Sequence, residues 1–302
     1  MTDERPTSRF FRARVTSITD LTPSFRRFTF GGDDLADYGD PGFDQRIKVI
    51  FPTAGLSLDD MPTGEDWYAQ WRELPEHARP PIRTYTTRYV RNEVSEVDID
   101  MVAHDVLGPA SDWIARAVVG DEVLIFAPTT AHPDLSYGID FVPPARSEQI
   151  MLVGDETAAP AIAVILEQLP RDARGVVVVE VPHPGDAAYL PVHPGFEYRV
   201  GARTDGDRHA HLVSVVEETA GVIVPAGRGA EVEEIDIDHD ILWEVPRTAK
   251  GGAALKSAPL YSWLAGEAGA IKALRRHLVS GLGVDRRAVA FMGYWRLGKA
   301  EN

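Results

Sequence analysis

The chain has 302 residues, a formal net charge of −15, 44% hydrophobic and 25% charged residues, and no cysteine. That length and balance fit a globular protein of two domains, and the missing thiols exclude disulfides, thiolate metal sites, cysteine-held iron–sulfur clusters and a cysteine nucleophile. The acidic balance argues against nucleic-acid binding and a polybasic membrane patch, and no apolar run approaches the roughly 18 residues of a membrane span, so a cytoplasmic protein is expected.

Phe11, Ala13 and Val15, then Phe28 and Phe30, alternate with polar residues on either side of Leu21-Thr22-Pro23-Ser24. This predicts two strands joined by a turn and closed by Gly31-Gly32-Asp33. Ile47, Val49 and Phe51 predict another strand with Lys48 on its opposite face, where a lysine is ordinarily just solvated. Trp67, Tyr68 and Trp71 suit one face of a short helix within a Pro- and acid-rich connection.

Pro81-Ile82-Arg83-Thr84-Tyr85-Thr86-Thr87-Arg88 enters a strand that runs on through Tyr89 and Val90. Alternation sends Arg83, Tyr85 and Thr87 to one side and Thr84 and Thr86 to the other. Arginine can grip a pyrophosphate, an aromatic can cover a ring system and a hydroxyl can bond near a reactive nitrogen, which is what an extended flavin needs. Taken alone, the same residues fit an exposed strand at least as well. A further alternating strand holds Asp100 and Val102 and runs to His104. Gly108-Pro109-Ala110-Ser111 then opens a short helix with Ser111 as the capping residue, and that helix start is a second seat for an anion. Residues 123–128 form the last strand of this half, and the irregular stretch to Arg146 places a domain boundary near 145, giving domains 1–145 and 146–302.

In the second half strands alternate with helices. An apolar strand ends in Gly154-Asp155-Glu156-Thr157-Ala158, and a helix begins near Pro160, with Thr157 placed to cap it. Unpaired backbone donors at such a start attract phosphate, although the three spaced glycines of the dinucleotide fingerprint are absent. Residues 176–181 read as a buried parallel strand, and Glu197 to Val200 as a weaker one. Arg203 follows, placed either for the ribose phosphate of NADP or as an ordinary loop arginine. His209 to Glu218 reads as a helix. The carboxylates between Glu231 and Asp240 alternate with Val232, Ile235 and Ile237, which favours a solvated strand or loop, and no metal site is expected. A buried strand then turns at Gly266-Glu267 into a helix over 268–280 carrying Lys272, and a last strand leads through Tyr294, Trp295 and Arg296.

Five segments occur in order: Arg-Thr-Tyr-Thr-x-Arg at 83–88, His-x-x-x-Gly-Pro-Ala-Ser-x-Trp at 104–113, Gly-Asp-Glu-Thr-Ala followed by Pro-Ala-Ile at 154–162, Ala-Gly-Glu at 265–267 and Gly-Tyr-Trp-Arg-x-Gly at 293–298. Together they resemble the siderophore-interacting proteins, flavin-dependent ferric-siderophore reductases of the ferredoxin-reductase superfamily. The resemblance implies an α+β two-domain fold. An antiparallel β-barrel binds FAD, and an α/β Rossmann-like domain with a mainly parallel sheet follows and binds NADPH or NADH.

The resemblance further implies that Arg83 and the backbone at Ala110 and Ser111 hold the flavin pyrophosphate, that Tyr85 lies against the isoalloxazine and that Thr86 bonds near its N5 atom. Thr84, Asp100, Val102, His104 and Pro109 fall in the same flavin segments. Gly154 to Ala158, with Gly266, Glu267, Tyr294, Trp295 and Arg296, belong to the nicotinamide side, and the choice between NADH and NADPH rests on Arg203. Hydride would pass to N5, and two one-electron steps would reduce siderophore-bound Fe(III), which hard oxygen ligands hold far more tightly than Fe(II). Lys48 and Lys272 are the basic residues implied for seating an anionic ferric siderophore. A ferredoxin is an alternative electron donor, and a monomer is expected. A general flavin or ferredoxin-type reductase would share the fold and cofactors, and a non-enzymatic siderophore carrier would need neither.

Overall fold

The computed structural model describes residues 6–53, 55–103, 108–131, 138–203, 209–223 and 242–298. Two units emerge, Met1–Gly138 and Ile139–Glu301.

In the first unit, alternating aromatic and β-branched residues build six strands. They are β1 (Ser8–Asp20), β2 (Phe25–Gly31), β3 (Arg46–Ile50), β4 (Ile82–Arg91), β5 (Glu96–Val102) and β6 (Glu122–Pro128). They close into a barrel in the order β1-β2-β5-β4-β3-β6, every pairing antiparallel. Closure leaves no open sheet edge, and Phe11, Phe28, Phe30, Val49, Ile99 and Ile125 fill the interior. Two short helices attach, α1 (Trp67–Glu73) and α2 (Pro109–Arg116). On α1 only Trp67 and Trp71, one turn apart, are buried, while Tyr68 stays exposed and stacks on Trp71 at 5.6 Å. On α2, Trp113 lies against Phe28 at 5.3 Å and Phe51 at 5.1 Å, which fixes the helix over the barrel.

The second unit contains β7 (Arg146–Asp155), α3 (Ala159–Gln168), β8 (Gly175–Val181), β9 (Phe196–Ala202), α4 (Ala210–Ile223), β10 (Trp243–Glu244), β11 (Ser257–Glu267), α5 (Ala268–Arg275) and β12 (Val289–Trp295). A π-helical turn over Arg276–Gly281 prolongs α5 to about the length read from the sequence. The sheet order is β10-β12-β11-β7-β8-β9, parallel except where the edge strand β10 meets β12. The chain winds from β7 outward through β8 and β9, then returns to β11 on the other side of β7. The carboxyl ends of β7 and β11 therefore flank a topological switch point, the place where ligands bind in such sheets. The acidic stretch at 231–240 lies outside the described residues.

Candidate functional site

In the barrel, the register of β3 against β4 pairs Arg46 with Thr86, Ile47 with Tyr85, Lys48 with Thr84 and Val49 with Arg83. Opposed residues share a face, so Lys48, Thr84 and Thr86 look one way and Arg83 and Tyr85 the other. Tyr85 is half-buried, packs on the barrel core and meets Phe51 edge-on at 6.1 Å. Burial pushes its phenol pKa up, against the pull of Arg83. Arg83 itself is half-exposed. It donates through Nη1 to the carbonyl of Ile82 at 2.8 Å and meets no carboxylate among the described residues.

The alternation predicted for this strand breaks after Thr86. A bulge against β5 lies between Thr87 and Tyr89, and Thr86, Thr87 and Arg88 are buried in succession. Thr87 shares a hydrogen bond with the Tyr38 hydroxyl at 2.9 Å. Arg88 turns to Asp100, a carboxylate with no exposed side-chain surface, at 3.1 Å. Arg27 grips the same carboxylate with two bonds of 2.7 and 2.8 Å, and the ring of Tyr89 lies 4.8 Å from the Arg27 guanidinium and 4.6 Å from that of Arg88. Asp100 thus anchors a buried ion-pair cluster of the barrel. Val102 is buried at the end of β5, paired with Phe25, and His104 lies outside the described residues.

Ser111 does not cap α2. Pro109 occupies the first helical position, where its fixed φ is already helical, so the cap falls to Gly108 and Ser111 sits inside the first turn. Gly108 has φ +115°, a conformation a side chain resists, and a Cβ there would meet no atom of the described residues within 4 Å. The first-turn N–H groups at Ala110 and Ser111 have no acceptor within the helix. Through Phe51, which touches both Tyr85 and Trp113, this helix start is packed with β4 as one body. An open approach to a helix N-terminus, an arginine with donors to spare, a half-buried aromatic ring and the buried hydroxyl of Thr86 fit the pyrophosphate, ring and polar edge of FAD.

In the second unit Asp155 is fully buried at the end of β7. Its Oδ1 accepts from the backbone N–H of Thr157 at 2.9 Å and from the Thr157 hydroxyl at 2.5 Å. Its Oδ2 accepts from the N–H of Glu267 at 2.9 Å and from the Trp295 indole N–H at 2.8 Å. One carboxylate therefore joins three of the five sequence segments at the switch point. Gly266 makes this approach feasible, since a Cβ on it would stand 2.7 Å from Asp155 Oδ2. Gly154 is equally constrained, its imagined Cβ lying 2.4 Å from that of Ala158. Thr157 consequently faces back to Asp155 rather than capping α3, whose cap is Ala158 without a side-chain bond. Glu267 caps α5 by accepting from Ala270 N–H at 3.0 Å. Alternation along β12 sends Tyr294 the other way from Trp295, to stack on Trp243 at 5.6 Å, and Arg296 follows half-buried.

Beside Asp155 stands a second buried cluster. Arg203 lies just beyond β9, as the sequence places it, but its guanidinium is bound by carboxylates: Nη2 donates to Glu156 and Nε donates to Glu180 at 3.3 Å. Glu180 also accepts from the backbone of His209 at 3.1 Å. Glu156 has no exposed side-chain surface. Burial and then the neighbouring Asp155 charge outweigh Arg203 and push its pKa up to about 7. Glu180 and His209 escape sequence reasoning, although a lone carboxylate inside the β-branched run of β8 was a usable signal. Lys48 and Lys272 are both half-buried, the first on β3 of the barrel and the second on α5 of the other unit.

A closed barrel whose residues fit a flavin, followed by a mainly parallel sheet with a ligand-type switch point, defines an FAD-binding oxidoreductase. Residues 14–132 match the family profile of the siderophore-interacting FAD-binding domain, and residues 147–298 match that of the siderophore-interacting protein. The chain belongs to the siderophore-interacting protein family. It is 26% identical to the ferric vibriobactin reductase ViuB of Vibrio cholerae over 281 residues, 93% of this chain and 87% of that one. It is 32% identical to an Escherichia coli NADPH-dependent ferric-chelate reductase over 165 residues, 54% of this chain and 58% of that one. The crystal structure of the siderophore-interacting protein SipS from Aeromonas hydrophila superposes with a TM-score of 0.68 at 28% identity, covering 98% of this chain and 94% of that one.

Proposed function

We propose that this chain is a ferric-siderophore reductase of the cytoplasm, taking electrons from a nicotinamide nucleotide and delivering them to siderophore-bound Fe(III). The observation that carries the reading is the packing of the Arg83–Thr86 strand with the open start of α2, in a chain of the siderophore-interacting family. In this reading domain 1–145 holds FAD and domain 146–302 receives the nucleotide.

FAD supplies the conversion between a two-electron donor and one-electron acceptors. Arg83 and the first-turn N–H groups of α2 hold its pyrophosphate, Tyr85 covers its ring, and Thr86 offers a hydroxyl at its polar edge. Asp155 shapes the nucleotide site by holding Thr157, Glu267 and Trp295 in place. Lys48, on the barrel face shared with Thr84, offsets the acidic surface where an anionic ferric complex approaches. One electron per iron suffices, because Fe(II) binds hard oxygen ligands weakly and leaves an intact siderophore.

Anaerobic stopped-flow absorbance tests this reading. Flavin colour should bleach on mixing with a reduced nicotinamide nucleotide and return on adding a ferric siderophore. Flavin that neither NADH nor NADPH bleaches would point to a protein donor such as a ferredoxin, and equal turnover with unrelated acceptors to a general reductase.

A further inference from the structure

The carboxyl ends of β7, β8 and β9 bring Glu156, Glu180 and Arg203 together, three residues far apart in sequence. In a doubly wound sheet this edge receives the adenosine ribose of a dinucleotide: a carboxylate after the second strand favours the free 2′-hydroxyl of NAD, and an arginine nearby accommodates the 2′-phosphate of NADP. Here both residue types are present, and their pairing decides between them. Arg203 has 14% of its side-chain surface exposed and its guanidinium is shared between two carboxylates that are 0% and 1% exposed. A phosphate arriving at this edge would have to draw the arginine away from both and then lie beside them.

His209 adds a second, independent observation. It sits at the entrance to α4 with φ 75°, its side chain 7% exposed, and neither ring nitrogen makes a hydrogen bond to a described group. Its Nδ1 lies 3.5 Å from Glu180 Oε1, and its ring meets Trp295 at 6.0 Å, the residue bonded to Asp155. Its ring nitrogens can hydrogen-bond a ribose hydroxyl arriving at this edge.

We infer that this chain takes its electrons from NADH in preference to NADPH, with Glu156 and Glu180 acting as specificity-determining residues by occupying Arg203. The inference rests on the proposal that a nicotinamide nucleotide is the donor.

Isothermal titration of the full-length, FAD-loaded protein with NAD+, NADP+, 5′-AMP and 2′,5′-ADP tests it without turnover. The 2′-phosphorylated member of each pair should bind more weakly, on the order of tenfold or more, because like charges brought together are costly. Arg203→Ala should lower the affinity for NAD+ and NADP+ alike, since the arginine serves the cluster, and Glu180→Gln should narrow the gap by releasing Arg203. If Glu180→Gln fails to fold, the wild-type titrations still decide. Equal or tighter binding of NADP+, or a selective loss of NADP+ in Arg203→Ala, would overturn the inference and leave the proposed reductase standing. Binding of neither dinucleotide, with no bleaching of the flavin by either reduced form, would overturn both.

Discussion

The indole of Trp295 donates to Asp155 across 140 residues of sequence, at 2.8 Å, and closes a carboxylate that already accepts from Thr157 and Glu267. The bond ties the end of the last strand to the turn that opens α3. Trp295→Phe keeps most of the ring against His209 but removes the donor. A hydrogen bond to a buried charged group contributes about 1.5–3 kcal/mol, and the variant should lose that much in urea unfolding. Its flavin content should be unchanged, since Trp295 belongs to the second unit.

Glu156 is held above the ordinary carboxylate value of 4.5, at about 7. The folded chain therefore binds this proton more tightly than the unfolded chain. Its contribution to stability is fully present below pH 4.5 and is lost as pH rises to about 7. Glu156→Gln should flatten the stability profile across that window, as read from urea midpoints at successive pH values.

Arg83 makes one backbone bond and meets no described carboxylate, so the barrel needs little from its charge. Arg83→Ala should leave the melting temperature of the apoprotein nearly unchanged. If the guanidinium grips the flavin pyrophosphate, FAD affinity should fall about 10–100-fold, in line with charge-assisted bonds of roughly 1.5–3 kcal/mol. Flavin fluorescence titration measures this directly.

Asp100 should behave in the opposite way. It is buried between Arg27 and Arg88, and Arg88 has only 4% of its side chain exposed. Asp100→Ala would strand a buried cation and should cost about 3–5 kcal/mol in chemical unfolding of the apoprotein, before any flavin is added.

Lys48→Ala should raise KM for an anionic ferric siderophore while leaving NADH oxidation with a small neutral acceptor unchanged, and Lys272→Ala provides the parallel test on α5. Equal KM values in both variants and wild type would remove these lysines from the substrate seat.

Local pattern made much of this molecule legible. Alternation along the strands, the Pro-initiated α2, the strand–turn–helix at Gly154 and the Gly266-Glu267 corner follow from short-range sterics and burial, which neighbouring residues record. The same pattern misplaced two caps, because Pro109 and Asp155 each offered the chain a better local arrangement than Ser111 or Thr157. Sequence could locate Arg203 beyond a parallel strand, yet not its partners. Glu180 lies 23 residues from it and Glu156 47 residues, and only three parallel strands ending at one edge make them neighbours. Whether an arginine binds a phosphate or is consumed by carboxylates depends on what else is buried beside it, and that is decided by the folding of the sheet.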